Sequence, residues 1–238
     1  MSHRSKLSLC IAAGSLAAPA LGQWDITAVE RDLSLFASVA EPGANADTEE
    51  DTILNNSVNF QGMVEVDVQS GAFTSIQAML TQESSLVGNT LSASSRRGLG
   101  YNAFSGSSGG ANADSSVRFD FRIDAATDFE LVYDISGVVP FGFASPIQIF
   151  GTPDGGVQET VVFHLDGFGS DSGTLLPGDY SIQVTSSSEG LDFFDTFNPD
   201  PSPFVELDVW DFQLTLIPSP STGAILLAGS VFASRRRR

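Results

Sequence analysis

An all-β fold, an antiparallel β-sandwich of jelly-roll-like kind, is what this chain of 238 residues predicts. Three observations carry the prediction. Apolar residues alternate with polar ones at a period of two through most of the apolar runs. Clusters of Gly, Pro, Asp and Ser separate those runs. No segment shows a long helical repeat. One-sided alternation buries one face of each strand and wets the other, so the sheets are antiparallel and must stack on each other.

Residues 1–22 are set apart from the body. Arg4 and Lys6 form a positive start, and Leu7 to Leu21 is apolar and rich in small residues. Ala20 and Gly22 stand at the −3 and −1 positions of a cut between Gly22 and Gln23, with Ala18-Pro19-Ala20 as a second cut, the pattern of a secretory signal peptide. Gly14, Pro19 and Gly22 make the run too short and broken to span a bilayer. Leu9 stands before Cys10 where a lipoprotein needs a small residue, so lipidation is not expected.

Residues 23–216 form one domain. Val58, Phe60, Val64, Val66 and Val68 alternate with Asn59, Gln61, Met63, Glu65 and Asp67, with Gly62 in the inward set. Ser75 to Gln82 is the best helical candidate and alternates equally well as a strand. Val117, Phe119, Phe121 and Ile123 alternate with Arg118, Asp120, Arg122 and Asp124. The short connection that follows leads to Phe129, Leu131, Tyr133 and Ile135, and the two runs read as a hairpin. Ile147 and Ile149, then Val161, Phe163 and Leu165, then Tyr180, Ile182 and Val184 continue the inward pattern, separated at 151–156, 167–173 and 177–179. In the last run Val205, Leu207 and Val209 share one phase and Trp210, Phe212, Leu214 and Leu216 the other. Adjacent Val209 and Trp210 cannot both face a core in a regular strand, so a bulge is expected there.

Residues 217–238 form a tail of a different kind. Pro218, Pro220, Ser221 and Thr222 precede a short apolar run, and Arg235, Arg236, Arg237 and Arg238 close the chain. Gly223 to Ala233 is eleven residues, and a helix of that length reaches about 17 Å. A stable span needs about 20 residues. Clustered arginine stays on the cytoplasmic side, so the tail halts export and holds the inner membrane only transiently. This order of Pro-x-Pro-Ser-Thr, apolar stretch and basic end resembles the PEP-CTERM sorting signal, departing from it at Ser219, where that family carries an acid. The resemblance implies an exosortase-type processing enzyme as partner. The second half of the body also resembles exported β-sandwich proteins of that kind. It matches them in the Ser-rich segment Gly106 to Ser116, the paired strands and Leu176-Pro177-Gly178-Asp179-Tyr180, where Pro-Gly suits a type II turn. That likeness implies a fold and no activity.

Charge narrows the partners. The chain carries 29 acidic residues against 11 Lys and Arg, a net charge of −18. Without its two ends the body keeps all the acids and five arginines (Arg31, Arg96, Arg97, Arg118 and Arg122), a net charge of −24. Such a surface repels phosphate backbones and anionic lipid, so nucleic acid is not a partner. The single Cys lies in the signal segment, leaving no disulfide, thiol nucleophile or thiolate metal site in the body.

No catalytic residue stands out. His164, the one histidine left in the body, points outward with Thr160 and Val162, and no Gly-x-Ser-x-Gly is present for a nucleophilic serine. One histidine does not make the usual zinc sites. Acid pairs are too plentiful for any to mark a glycosidase. Calcium is the one cofactor for which residues can be named. Asp166 and Asp171 set two carboxylates in a glycine-rich loop, without the full spacing of a calcium-binding hand. Asp154-Gly-Gly and Glu49-Glu50-Asp51 are similar signals, and ordinary acidic turns are the alternative reading of all three. Phe193, Phe194 and Phe197, in the loop 189–203, can stack on sugar rings or cap one end of the sandwich. Arg118 and Arg122 with Asp120 and Asp124 make an outward charge ladder suited to guarding an edge strand. The expectation is an exported, non-enzymatic protein of the cell envelope, cell surface or extracellular matrix. A glycan- or calcium-binding module, with extracellular polysaccharide as partner, is the alternative, and a carbohydrate-active enzyme a distant third.

Overall fold

The structure is a computed structural model that describes residues 24–72, 74–102, 106–135, 146–188, 193–194 and 205–217, with the backbone alone described at 187–188, 193–194 and 205–208. The described residues form thirteen strands and no helix. These are β1 (Asp25–Ala40), β2 (Asp47–Leu54), β3 (Phe60–Ser70), β4 (Thr74–Val87), β5 (Thr90–Asn102), β6 (Ser108–Ile123), β7 (Thr127–Asp134), β8 (Ile147–Pro153), β9 (Glu159–His164), β10 (Phe168–Leu175), β11 (Gly178–Ser188), β12 (Phe193–Phe194) and β13 (Val205–Ile217). Two antiparallel sheets result. The first runs β2-β1-β6-β11-β8-β9, with β12 also on β6; the second runs β10-β7-β13-β5-β4-β3.

Period-two alternation dictates which side of each strand is buried. On β6, Val117, Phe119, Phe121 and Ile123 are buried while Arg118, Asp120 and Arg122 are not. On β3, Val64, Val66 and Val68 are buried between exposed Met63, Glu65 and Asp67. The apolar faces of the two sheets meet, as where Phe119 of β6 packs edge-on against Phe212 of β13 at 6.4 Å. Each fully buried Leu, Ile or Phe contributes about 1.5–3 kcal/mol relative to exposure.

The core is two apolar clusters. The larger joins β6, β7, β8, β11 and β13 around Phe119, Phe121, Trp210 and Phe212. The smaller joins β1, β3 and β4 around Leu33, Leu35, Val64, Val66, Ile76 and Leu80. Polar residues are buried along the same strands where the clusters give way to each other: Arg31 on β1, Gln82 and Ser84 on β4, and Ser115 on β6.

The expected bulge in the last strand is present. β13 pairs Asp208 with Arg96 and Trp210 with Ser95, so Val209 is the extra residue, and Val209 and Trp210 are both buried. Ser75 to Gln82 is strand, within β4.

Other expectations are corrected. The runs ending at Ile123 and beginning at Phe129 are not a hairpin: β6 pairs with β1 and β11, and β7 with β10 and β13. Both bury the same kind of face, so the three residues between them carry the chain from one sheet to the other, and the two faces meet across the core. β6 itself starts at Ser108, because the Ser- and Gly-rich stretch before Val117 pairs with β1 from Asp32 to Ala40. In β9 the phase is reversed. Val162 is buried and His164 half-buried, whereas Phe163 and Leu165 are exposed. A register shift between Ile149 and Phe150 leaves Val161 unpaired, and that extra residue inverts every side chain after it.

Pro177-Gly178 is not the centre of a type II turn. Gly178 already belongs to β11, paired with Ile123 on one side and Pro153 on the other, with φ at 158° rather than near the +80° such a turn needs. A Cβ there would stand 2.4 Å from the Thr152 carbonyl oxygen, so glycine is required by close backbone approach. The carbonyl of Pro177 accepts the N–H of Asp154. The stretch 167–173, expected as loop, is a bend followed by most of β10. Phe193–Phe194, expected in a loop, pairs by backbone with Gly109 and Ser108 of β6.

Candidate functional site

The two open sides of the stacked sheets are each closed by side chains. On one side β2 and β3 lie at sheet edges. The Glu49 carboxylate accepts the N–H of Asp67 at 2.8 Å, and the Asp47 carboxylate accepts the N–H of Gln69 at 3.3 Å. Edge amides that would otherwise face solvent are thus capped by acids of the facing sheet. On the other side, β9 and β10 are the edges. His164 Nε2 hydrogen-bonds Asp171 of β10, and its ring stacks on Tyr133 of β7 at 4.5 Å and 24°. The Tyr133 hydroxyl is held above its ordinary pKa, first by burial and then by the Asp171 charge.

Alternation alone puts His164 outward and solvated. The bulge at Val161 instead turns it toward the second sheet, where it is about one-third exposed. Asp171, one of the two calcium candidates, is the partner of that imidazole; Asp166 lies in the bend before β10. Among the described residues no group of three or more His, Cys, Asp or Glu is placed to hold a metal. Asp154 is bound by Arg122, and Glu49 by the Asp67 amide. Asp51 accepts the N–H of Thr52.

The Arg ladder lies on the outer face of the first sheet, as its alternation predicts, but its strand is not an edge. β6 sits between β1 and β11, so the ladder ties strands together instead of guarding a free edge. Arg118 Nε donates to Asp120 at 2.7 Å and Nη2 to Ser181 of β11 at 3.3 Å. Arg122 donates to Asp124 at 3.2 Å, to Asp179 of β11 at 3.1 Å and to Asp154 at 3.0 Å. These acids hold its guanidinium above the usual arginine pKa, Asp179 and then Asp154 being the main causes. The group is solvated, so the network adds little stability.

Among the described residues the same outer face carries three aromatic side chains: Phe36 of β1, Phe163, which alternation assigns to the interior, and Phe150, which no apolar pattern singles out. Phe163 of β9 is 51% exposed. Its neighbours across the sheet are Gln148 of β8, Gln183 of β11, Arg118 of β6 and Glu30 of β1, in one row. Phe150, two residues along β8 from Gln148, begins the adjoining row with Ser181 and Asp120. The Arg118 guanidinium carbon lies 5.6 Å from the Phe150 ring centre. A cavity of about 240 Å³ beside this face is lined by Glu30, Asp32, Ser116, Arg118 and Gln183.

Inside the molecule, Arg31 has a role that charge counting does not show. Its guanidinium donates to the Ser57 carbonyl at 3.1 Å and the Ser84 hydroxyl at 2.6 Å, and lies 4.1 Å from the Phe60 ring centre. It is 5% exposed, and among the described residues no carboxylate forms an ion pair with it. Burial lowers its pKa to about 10. The sequence does carry a signal for this: Arg31 occupies an inward position between Val29 and Leu33. Phe197, and the side chains of Phe193 and Phe194, lie outside the described residues, as do the signal segment and Pro218, Pro220, Ser221, Thr222 and Arg235 to Arg238 of the tail.

Comparison with protein-family models, with curated proteins and with solved structures gave no match.

Proposed function

We propose that the chain is an exported, non-enzymatic protein of the cell surface or extracellular matrix, delivered by residues 1–22 and sorted through residues 217–238 by an exosortase-type enzyme. The observation that carries the reading is the junction at Ile217. β13 ends there, and Pro218-x-Pro220-Ser221-Thr222, the short apolar run and the four arginines follow at once. A segment too short to span stably, stopped by charge that resists translocation, suits a temporary halt before processing.

The fold we read for the body is a jelly roll. β5 pairs with β13, β6 with β11, β7 with β10 and β8 with β9, four antiparallel pairs nested one inside the next. That nesting supports the reading, with β1 to β4 extending the two sheets.

The test is intact mass of the protein recovered from the surface of expressing cells. The wild type is expected to lack the arginine block. Replacing Pro218 and Pro220 with Ala should leave the halt intact and stop recognition, so an unprocessed form accumulates in the inner membrane. Replacing Arg235 to Arg238 with Ser should release the chain early into the medium. A wild-type surface protein that still carries residues 221–238 would mean a plain tail anchor.

A further inference from the structure

We infer that the outer face of the first sheet, from β9 across to β1, binds a neutral polysaccharide. The inference concerns the face itself and holds whether or not the tail is processed.

Phe163 and Phe150 stand on neighbouring strands, both on the outer side; Phe163 is exposed, and Phe150 beside it has the Arg118 guanidinium over its ring at 5.6 Å. An aromatic face stacks on the C–H side of a sugar ring and leaves the ring's hydroxyls free at its rim. Those hydroxyls need groups that donate and accept together, and a primary amide does both. Gln148 and Gln183 supply two amides in register beside Phe163, Gln183 giving one N–H to Thr185 and keeping its carbonyl and second N–H. The row from Phe163 to Glu30 crosses five strands. At about 4.8 Å between strands it is roughly 19 Å long, the span of an extended polymer rather than of a single ring. At its far end the cavity of about 240 Å³ beside Arg118 and Gln183 offers room for a terminal or branching unit.

Charge selects the class of sugar. Arg118, the cation in the row, is already bonded to Asp120 at 2.7 Å and shares Ser181. Glu30 and Asp32 flank the cavity, and the body as a whole is strongly acidic. A uronic, sulfated or phosphorylated chain is repelled, whereas an uncharged one is not.

The experiment is affinity electrophoresis of the protein purified from cells expressing the full chain. The gels carry soluble neutral polysaccharides (a glucan, a xylan, a mannan and a galactan), with alginate as the anionic comparison and a plain gel as blank. At least one neutral polymer should retard the wild type, and alginate should not. Phe163→Ala and Gln148→Ala should each weaken that retardation by roughly three- to tenfold, while Phe163→Trp keeps it. Phe168→Ala, at an 80% exposed position of the second sheet, should leave it unchanged. Both Phe163 and Gln148 face outward, so unchanged melting temperatures will show that the variants are folded. Four results overturn the inference: no retardation by any neutral polymer; retardation that Phe163→Ala leaves intact; retardation by alginate that fades with salt; or concentration-dependent slowing in the plain gel, which would place a second copy of the chain on this face.

Discussion

Gly178 shows how little latitude single positions have where three strands meet. Its missing side chain lets β11 lie against the Thr152 carbonyl and the Pro153 Cα, both backbone atoms that cannot swing away. Gly178→Ala should therefore cost about 2–3 kcal/mol in urea denaturation. Gly88→Ala, where a Cβ meets open space and only the positive φ of 60° opposes it, should cost about 1 kcal/mol. Arg31 is the opposite case, a large cation where an apolar residue is the norm. Arg31→Ala removes packing on Phe60 and should cost about 3 kcal/mol. Arg31→Met fills the same space without a buried charge and should stay within about 1 kcal/mol of the wild type. The pH dependence separates the effect of packing from that of charge. Burial lowers the pKa of folded Arg31 to about 10, well below that of the unfolded residue. The unfolded state then binds more protons, so this residue adds to wild-type stability as pH climbs above 10. Arg31→Met lacks that gain, so the stability difference between the two should move in the wild type's favour between pH 9 and pH 11.

Strands and their inward faces are largely legible from alternation, because burial on one side imposes a period of two wherever the strand is regular. β3, the second half of β6, β7 and β11 follow it directly. Two bulges show where legibility stops. The one at Val209 announces itself, since two large apolar residues stand side by side there. The one at Val161 does not, because Val161, Val162 and Phe163 are all apolar and either phase fits; the wrong phase takes His164 and the exposed Phe163 with it. Pairing is less legible than phase. A strand whose face is apolar needs a facing partner as much as a neighbour, and nothing in the connection 124–126 says which comes next. Polar strands such as the start of β6 carry no alternation at all. The seam between β2 and β3 has the same character, resting on side chains that meet only after both sheets exist. Glu49→Ala should speed hydrogen exchange at the Asp67 amide by about tenfold, and Glu49→Gln, which keeps an acceptor, should not.

For the molecule as a whole, charge governs behaviour outside the core. A body of 29 acids and five arginines repels itself, so its melting temperature should rise by several degrees between low salt and about 0.5 M NaCl. Asp171 already serves His164, so melting curves in millimolar calcium and in NaCl of equal ionic strength should coincide. A higher curve in calcium would instead mark a specific site at Asp166 and Asp171. The place of β13 has a mechanical meaning. It is hydrogen-bonded to β5 from Val205 to Thr215 and to β7 from Asp211 to Ile217, and it is the last strand among the described residues. A pull on that end loads both ladders along their length at once, in shear, so their bonds must fail together. An edge strand pulled sideways would unzip one bond at a time. Stretched from its tail, the body should yield at a high force in a single step, and single-molecule pulling from the C-terminus against pulling from a linker placed at the β9–β10 turn will measure the contrast.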